Sequence, residues 1–126
     1  MTLEEAWNNN RRLHLSAETL FQKSDTLKVL GRLAAASYCK KIGRVILSLE
    51  DCQCSDDIVA VGEANRIETT AIAINARAML LVLKANIMWA KAVRALKGNI
   101  KMTWGTNGGY PTCTLESGEK FATKGD

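Results

Sequence analysis

The feature that most constrains this fold is a long stretch without a helix-breaking residue. Residues 56–97 contain no proline, and their apolar side chains are mostly Ala, Leu, Ile and Val, which favours a helix. Polar and acidic residues at 55–57 mark its start, and Gly98 marks its end. A continuous helix of this length would be about 63 Å long, whereas a compact domain of this size is only about 35 Å across. The helix therefore either breaks near residues 62–65 or belongs to an elongated hairpin.

The first half of the chain predicts two more helices. Thr2 and Glu5 form a capping box that starts a short helix over 2–12, which includes three asparagines, weak helix formers. A second helix is predicted over 17–50, because its apolar side chains recur at helical spacing. Glycine and alanine within this helix indicate the close approach of another helix.

Beyond Gly98 the sequence favours strands and turns. The pattern over 100–115 predicts a β-hairpin with its turn over 105–109, and residues 116–126 are predicted to be a polar tail. A lone two-stranded hairpin is marginal in water, so it must pack on the helices or pair with another copy. The predicted fold class is therefore mainly α: an elongated antiparallel helical hairpin or small bundle with a short C-terminal β-hairpin, in a single domain over 1–126.

The apolar surface of the helix predicted over 56–97 indicates that the chain associates with further copies of itself. Because its apolar arc is wider than one neighbour covers, we expect a homo-oligomer. Four bases interrupt the apolar stretch over 71–96, and each is costly at a bilayer centre, so we expect no membrane partner. The N-terminus lacks the pattern of a secretory signal. We therefore expect a cytoplasmic location, with the four cysteines reduced.

The net charge of +4 is unevenly distributed. Residues 26–49 contain five bases and no acid, residues 50–68 contain six acids and one Arg, and residues 69–101 contain six bases and no acid. Basic strips without acids are typical of surfaces that bind phosphate backbones. The alternative interpretations are a solvated helix face or a surface for an acidic protein partner.

We therefore predict a non-enzymatic protein that binds RNA or DNA through the backbone, as an accessory or assembly subunit of a larger nucleic-acid machine. The alternative is an adaptor or inhibitor that binds an acidic protein partner. Trp104 and Tyr110 are included as candidates because rings beside bases can stack on unpaired nucleobases, although they could equally pack the hairpin on the helices. The predicted binding residues are Lys28, Arg32, Lys40, Lys41, Arg44, Arg77, Lys84, Lys91, Arg94, Lys97, Lys101, Trp104 and Tyr110.

The sequence offers little for catalysis or metal binding. His14 is the only histidine, has only Glu18 as a nearby acid, and is predicted to be a surface or edge residue. Cys52 and Cys54 lack the second pair that a structural zinc site needs. The two glutamates of residues 63–68 are five positions apart, whereas magnesium sites on helices pair carboxylates three or four apart. We expect no metal, no cofactor and no catalytic residue.

Overall fold

The computed structural model describes residues 1–122, which divide into two compact units. Unit 1 consists of residues 1–18 and 79–122, and unit 2 of residues 19–78. The fold is mainly α, as predicted, with 70% helix and two long helices packed together. The elements in chain order are α1 (Leu3–Ile42), a short 3-10 helix (Leu49–Asp51), α2 (Ser55–Lys97), β1 (Met102–Asn107), β2 (Tyr110–Leu115) and β3 (Lys120–Ala122). That the chain is a single domain stays a prediction.

α1 is one continuous helix, so the predicted division into helices over 2–12 and 17–50 is wrong. The asparagines do not interrupt it: Asn10 is 1% exposed and its side-chain amide donates to Asn86 Oδ1 at 3.5 Å. Packing within unit 1 thus offsets the weak helix propensity of asparagine. The helix ends before Gly43 rather than at residue 50, because Gly43 adopts a left-handed φ of +74° that suits a helix C-terminus.

α2 is also continuous, so it does not break near residues 62–65. A Cβ added at Gly62 would meet no atom within 4 Å, and the backbone stays helical there because an exposed glycine costs only about 1 kcal/mol. Gly98 ends the helix as predicted. Its φ is +76°, and its N–H donates to the carbonyl of Arg94 at 3.0 Å.

The C-terminal strands form an antiparallel sheet in the order β1-β2-β3, one strand more than the predicted hairpin. Asn107 pairs with Tyr110, so the turn is the two residues 108–109, shorter than the predicted turn over 105–109. Both turn glycines have positive φ, 62° and 85°, which is the geometry of a type I′ hairpin turn. Part of the predicted tail over 116–126 forms β3, and residues 123–126 lie outside the described part of the chain.

Unit 1 has an aromatic core that joins the sheet to both helices. Trp7 and Trp89 are buried, with ring centroids 5.0 Å apart in an edge-to-face arrangement, and both contact Phe121 of β3. Trp7 Nε1 donates to the carbonyl of Ala122 at 2.8 Å, and Trp89 Nε1 donates to Cys113 Sγ at 3.3 Å. The sheet therefore packs on the helices, which was one of the two predicted ways to stabilise it.

Unit 2 joins its two helical segments through small side chains. The hydroxyl of buried Ser24 donates to the carbonyl of Ala71 at 2.8 Å. A Cβ built on Gly31 would lie 3.2 Å from Ile67 Cγ2, a tighter contact than most side chains make. The predicted close approach is therefore present at Gly31, whereas the three alanines of residues 34–36 are exposed and Gly43 lies beyond the end of α1.

Candidate functional site

The turn that joins α1 to α2 is organised around Asp57, whose side chain is fully buried. The Tyr38 hydroxyl donates to Asp57 Oδ1 at 2.5 Å, the Gln53 N–H donates to Oδ2 at 2.8 Å, and Arg44 forms an ion pair with Oδ2. These donors, the Tyr38 hydroxyl first, hold the pKa of Asp57 well below its ordinary value. The same hydrogen bond raises the pKa of Tyr38 to about 12.

This charge cluster stabilises the turn and engages the guanidinium of Arg44. The other guanidinium nitrogen of Arg44 donates to the carbonyl of Asp51 at 2.8 Å. Asp51 in turn accepts the N–H groups of residues 47 and 48 at 2.9 and 3.2 Å. Arg44 lies beyond the end of α1, although the helix predicted over 17–50 would have included it. Arg44 stabilises the turn, and its guanidinium is already paired.

A groove of about 360 Å³ lies beside this cluster, between the two helices of unit 2. Its sides are formed by α1 and α2, and residues 46–48 of the turn close one end. Lys28, Arg32 and Glu68 line the groove away from the turn. Sequence reasoning missed this groove because it treated Lys28 and Arg32 as part of a basic strip and gave Glu68 no position relative to them.

The α2 segment of unit 1 carries exposed bases. Lys84, Lys91 and Arg94 are exposed, and none of their side chains forms an ion pair or a hydrogen bond with residues 1–122. The segment from Met79 to Lys97 contains no acidic residue. Lys97 differs from the others, because it pairs with Glu119 at 3.0 Å. Three bases of this segment therefore remain available to an external anion.

The remaining predicted bases are distributed over both units. Lys40, Lys41 and Arg77 are exposed residues of unit 2, and Lys101 is an exposed residue of unit 1. Arg77 precedes Lys84 by seven residues on α2.

The two aromatic candidates belong to the packing of unit 1. The Trp104 ring lies 6.2 Å from that of Trp7 and is 41% exposed. The Tyr110 hydroxyl donates to a carboxylate oxygen of Glu18. Both contacts match the alternative interpretation, in which these rings hold the sheet on the helices. Trp104 still presents an open part of its ring to solvent.

His14 is buried, so the prediction of a surface or edge residue is wrong. Its Nε2 lies 3.1 Å from Asn86 Oδ1, the atom that also accepts from Asn10. Asn10 and His14 are four residues apart on α1 and share a face with buried Trp7. The i, i+3, i+7 spacing of Trp7, Asn10 and His14 was the sequence pattern that could have placed the histidine inside.

No metal site or disulfide is found within residues 1–122. No three His, Cys, Asp or Glu side chains of this part lie close enough together to hold a metal ion. Cys39, Cys52, Cys54 and Cys113 are free thiols. Burial raises the pKa values of Cys52 and Cys113, which disfavours the reactive thiolate.

α2 is long and apolar enough to cross a membrane by length and composition. It contains an 18-residue window with a mean hydropathy of 1.5, of which 17% is buried. Much of this apolar surface is therefore exposed. Length and composition do not establish a membrane span, and the absence of a membrane partner stays a prediction.

This chain matches no family model, no curated protein and no solved structure.

Proposed function

We propose that this protein is a non-enzymatic nucleic-acid-binding subunit, which contacts phosphate backbones through the exposed bases of α2 in unit 1. The observation that carries the proposal is that Lys84, Lys91 and Arg94 are exposed and unpaired within residues 1–122. No carboxylate of α2 lies among them. An ordinary solvated helix face mixes Glu with Lys, whereas this one presents a single sign of charge. Such a surface gains affinity by releasing the counterions of a polyanion.

The arrangement of these basic side chains supports binding to the phosphate backbone rather than recognition of the nucleobases. Lys84 and Lys91 are separated by about 10.5 Å along the helix axis, several phosphates apart on one strand. Lysine is a point charge that contacts phosphates without sequence preference. Little base-specific recognition follows, and both RNA and DNA supply the required phosphates. An accessory or assembly role in a larger nucleic-acid machine suits a subunit of this kind.

The test is the salt dependence of binding to a mixed-sequence duplex oligonucleotide. We expect the triple variant Lys84→Gln, Lys91→Gln, Arg94→Gln to reduce the slope of log K against log salt by about 3. The matched control, Lys28→Gln, Lys40→Gln, Lys41→Gln, removes the same charge from unit 2 and should change the slope by less than about 1. Equal effects of the two triples, or no binding by the wild type at low salt, would overturn the proposal.

A second candidate function is an adaptor or inhibitor that binds an acidic protein. Leu80, Leu83 and Ile87 are 64%, 55% and 46% exposed on the same segment of α2, and phosphates offer nothing to cover them. An acidic amphipathic helix would cover the leucines and pair with the bases. Leu80→Gln with Leu83→Gln separates the two functions. Nucleic-acid binding through the three bases predicts that this variant keeps the wild-type salt slope per chain, whereas an adaptor predicts that it loses binding to an acidic amphipathic peptide.

We propose that the chain forms a homo-oligomer through the same exposed leucines. A second copy would bury them without any further partner. Light scattering at micromolar concentration should give a mass of at least two chains, and Leu83→Glu should reduce it to one. A mass of one chain for the wild type would contradict this. The cytoplasmic location stays a prediction.

A further inference from the structure

The groove of unit 2 has the size and shape of a ligand site. Its volume of about 360 Å³ falls within the range of about 300–1,000 Å³ of small-molecule sites. Gly31, Ala35 and Ala64 line its length, and none of them projects a large side chain into it. The space is therefore open because small residues line both helices at this level.

The two ends of the groove differ in chemistry. Lys28 and Arg32, one helical turn apart on α1, line the end away from the turn. Lys28 is half-buried, and neither cation forms an ion pair with any residue of the described chain. Glu68 is the only acid that lines the groove, so two positive charges face one negative charge. At the other end the groove is lined by half-buried Ile46, by Leu47, which is 88% exposed, and by Ser48.

We propose that this groove binds a single-chain amphiphile with an anionic head group, a medium-chain carboxylate being the simplest member of the class. The head group lies at Lys28 and Arg32, and the chain lies along the small residues toward Ile46 and Leu47. From Lys28 to Tyr38 α1 advances about 15 Å, which accommodates a chain of about ten carbons. This site lies in unit 2 and goes beyond the proposed nucleic-acid function.

The charge arrangement favours one anionic head group over a polyanion. A single carboxylate can contact both cations while staying away from Glu68. A phosphate backbone would bring further charges toward Glu68 and would leave the apolar end uncovered. An α-helix of another protein is about 10 Å in diameter, so it would rest across the groove opening rather than fill it.

The first experiment is calorimetric titration of the full chain with decanoate below its micelle concentration. We expect one decanoate per chain, with decanol and decyltrimethylammonium at least tenfold weaker because they lack the anionic head. Ala35→Trp fills the groove and should abolish binding. Ala36→Trp is the matched control, since Ala36 is also exposed on α1 but does not line the groove. Equal binding of decanoate and decanol would overturn the proposal, and so would undiminished binding to Ala35→Trp.

The second experiment changes charge without changing groove volume. Arg32→Gln should weaken decanoate binding by about tenfold, and Glu68→Gln should tighten it severalfold because a repulsive carboxylate is removed. Far-UV circular dichroism checks that each variant keeps its helix content. If Ala35→Trp does not fold, the opposite signs of these two variants decide the question. Weakening by both, or no change in either, would contradict a head group at this end. None of these results depends on oligonucleotide binding, so the two proposals fail separately.

Discussion

The two units use segments of the same helices but are stabilised in different ways. Unit 1 buries the rings of Trp7 and Trp89 against Phe121 and the sheet. Unit 2 has small side chains at its helix contact and an ionised carboxylate, Asp57, at its turn. Buried aromatic area stabilises a fold regardless of pH, whereas a charge cluster stabilises it only while its groups keep their protonation states. Helical segments with the same apolar periodicity are therefore packed in two different ways in the two units.

This difference also explains where an open groove occurs. A buried tryptophan covers about 150–250 Å², roughly 4–6 kcal/mol of apolar burial at 25 cal/mol per Å². Alanine and glycine bury far less, so they allow close helix contact but leave space beside it. The groove of unit 2 and the filled core of unit 1 are thus two consequences of side-chain size.

The largest expected effect is the loss of the Trp89 ring from unit 1. Trp89→Ala should lower the free energy of unfolding by about 3–5 kcal/mol, because a large side chain is removed from a fully buried site. All three tryptophans lie in unit 1, so urea unfolding followed by the fluorescence of the other two reports on this unit. Trp104→Ala, which removes a 41% exposed ring, is the control and should cost less than half as much. Similar costs would contradict an aromatic core centred on Trp89.

The next effect is the loss of the Asp57 charge from unit 2. Asp57→Asn removes the anion that accepts from Tyr38, Gln53 and Arg44 and should lower the Tm by roughly 10 °C. Asp56→Asn removes the same charge from the same first turn of α2, but Asp56 is exposed. Its Tm should change by no more than about 2 °C, because only the interaction with the helix dipole is lost. Equal shifts of the two variants would show that the dipole, and not the cluster, matters.

Tyr38 makes the stability of unit 2 sensitive to alkaline pH. Its pKa is raised to about 12 in the folded chain, against about 10 in an unfolded one. The stabilisation is therefore complete below pH 10 and is lost as the pH rises to about 12. Tyr38→Phe should be less stable than the wild type at pH 8, and the gap should close by pH 12, as followed by the Tm from circular dichroism. A gap that is constant from pH 8 to 12 would contradict the hydrogen bond to Asp57.

Acid also weakens the Asp57 cluster, so here stability decreases as the pH falls rather than as it rises. Since the pKa of Asp57 is held below its ordinary value, its contribution is complete above about pH 4 and decreases as the pH falls further. The difference in Tm between the wild type and Asp57→Asn should therefore shrink below pH 4. A difference between the wild type and Asp57→Asn that stays constant as the pH falls below 4 would contradict a contribution from the Asp57 charge.

The sequence predicted the helices and strands better than the contacts between them. Helical periodicity and the Gly98 terminator are local properties, and both are confirmed. Burial of Asn10 and His14 depends on Asn86, far away in sequence, so local polarity gave the wrong location. The pairing of Arg44 with Asp57 likewise required the turn geometry, which charge counting does not contain. Charge counting placed Lys84, Lys91 and Arg94 in an acid-free stretch, and none of their side chains forms an ion pair or hydrogen bond within residues 1–122.

The smallest expected effect tests the close helix contact of unit 2 at Gly31. Alanine replaces glycine in a helix with a gain of about 1 kcal/mol from backbone propensity alone. At Gly62 a Cβ meets nothing within 4 Å, so Gly62→Ala should show the full gain in urea unfolding followed by far-UV circular dichroism. At Gly31 the new methyl would lie 3.2 Å from Ile67 Cγ2, and the helices must separate slightly to admit it. Gly31→Ala should therefore gain less than Gly62→Ala or lose stability outright. Equal gains would mean that the helices of unit 2 yield freely at this contact. The double variant Gly31→Ala, Ile67→Leu, which lacks the Cγ2 methyl, should recover the difference if the contact is the cause.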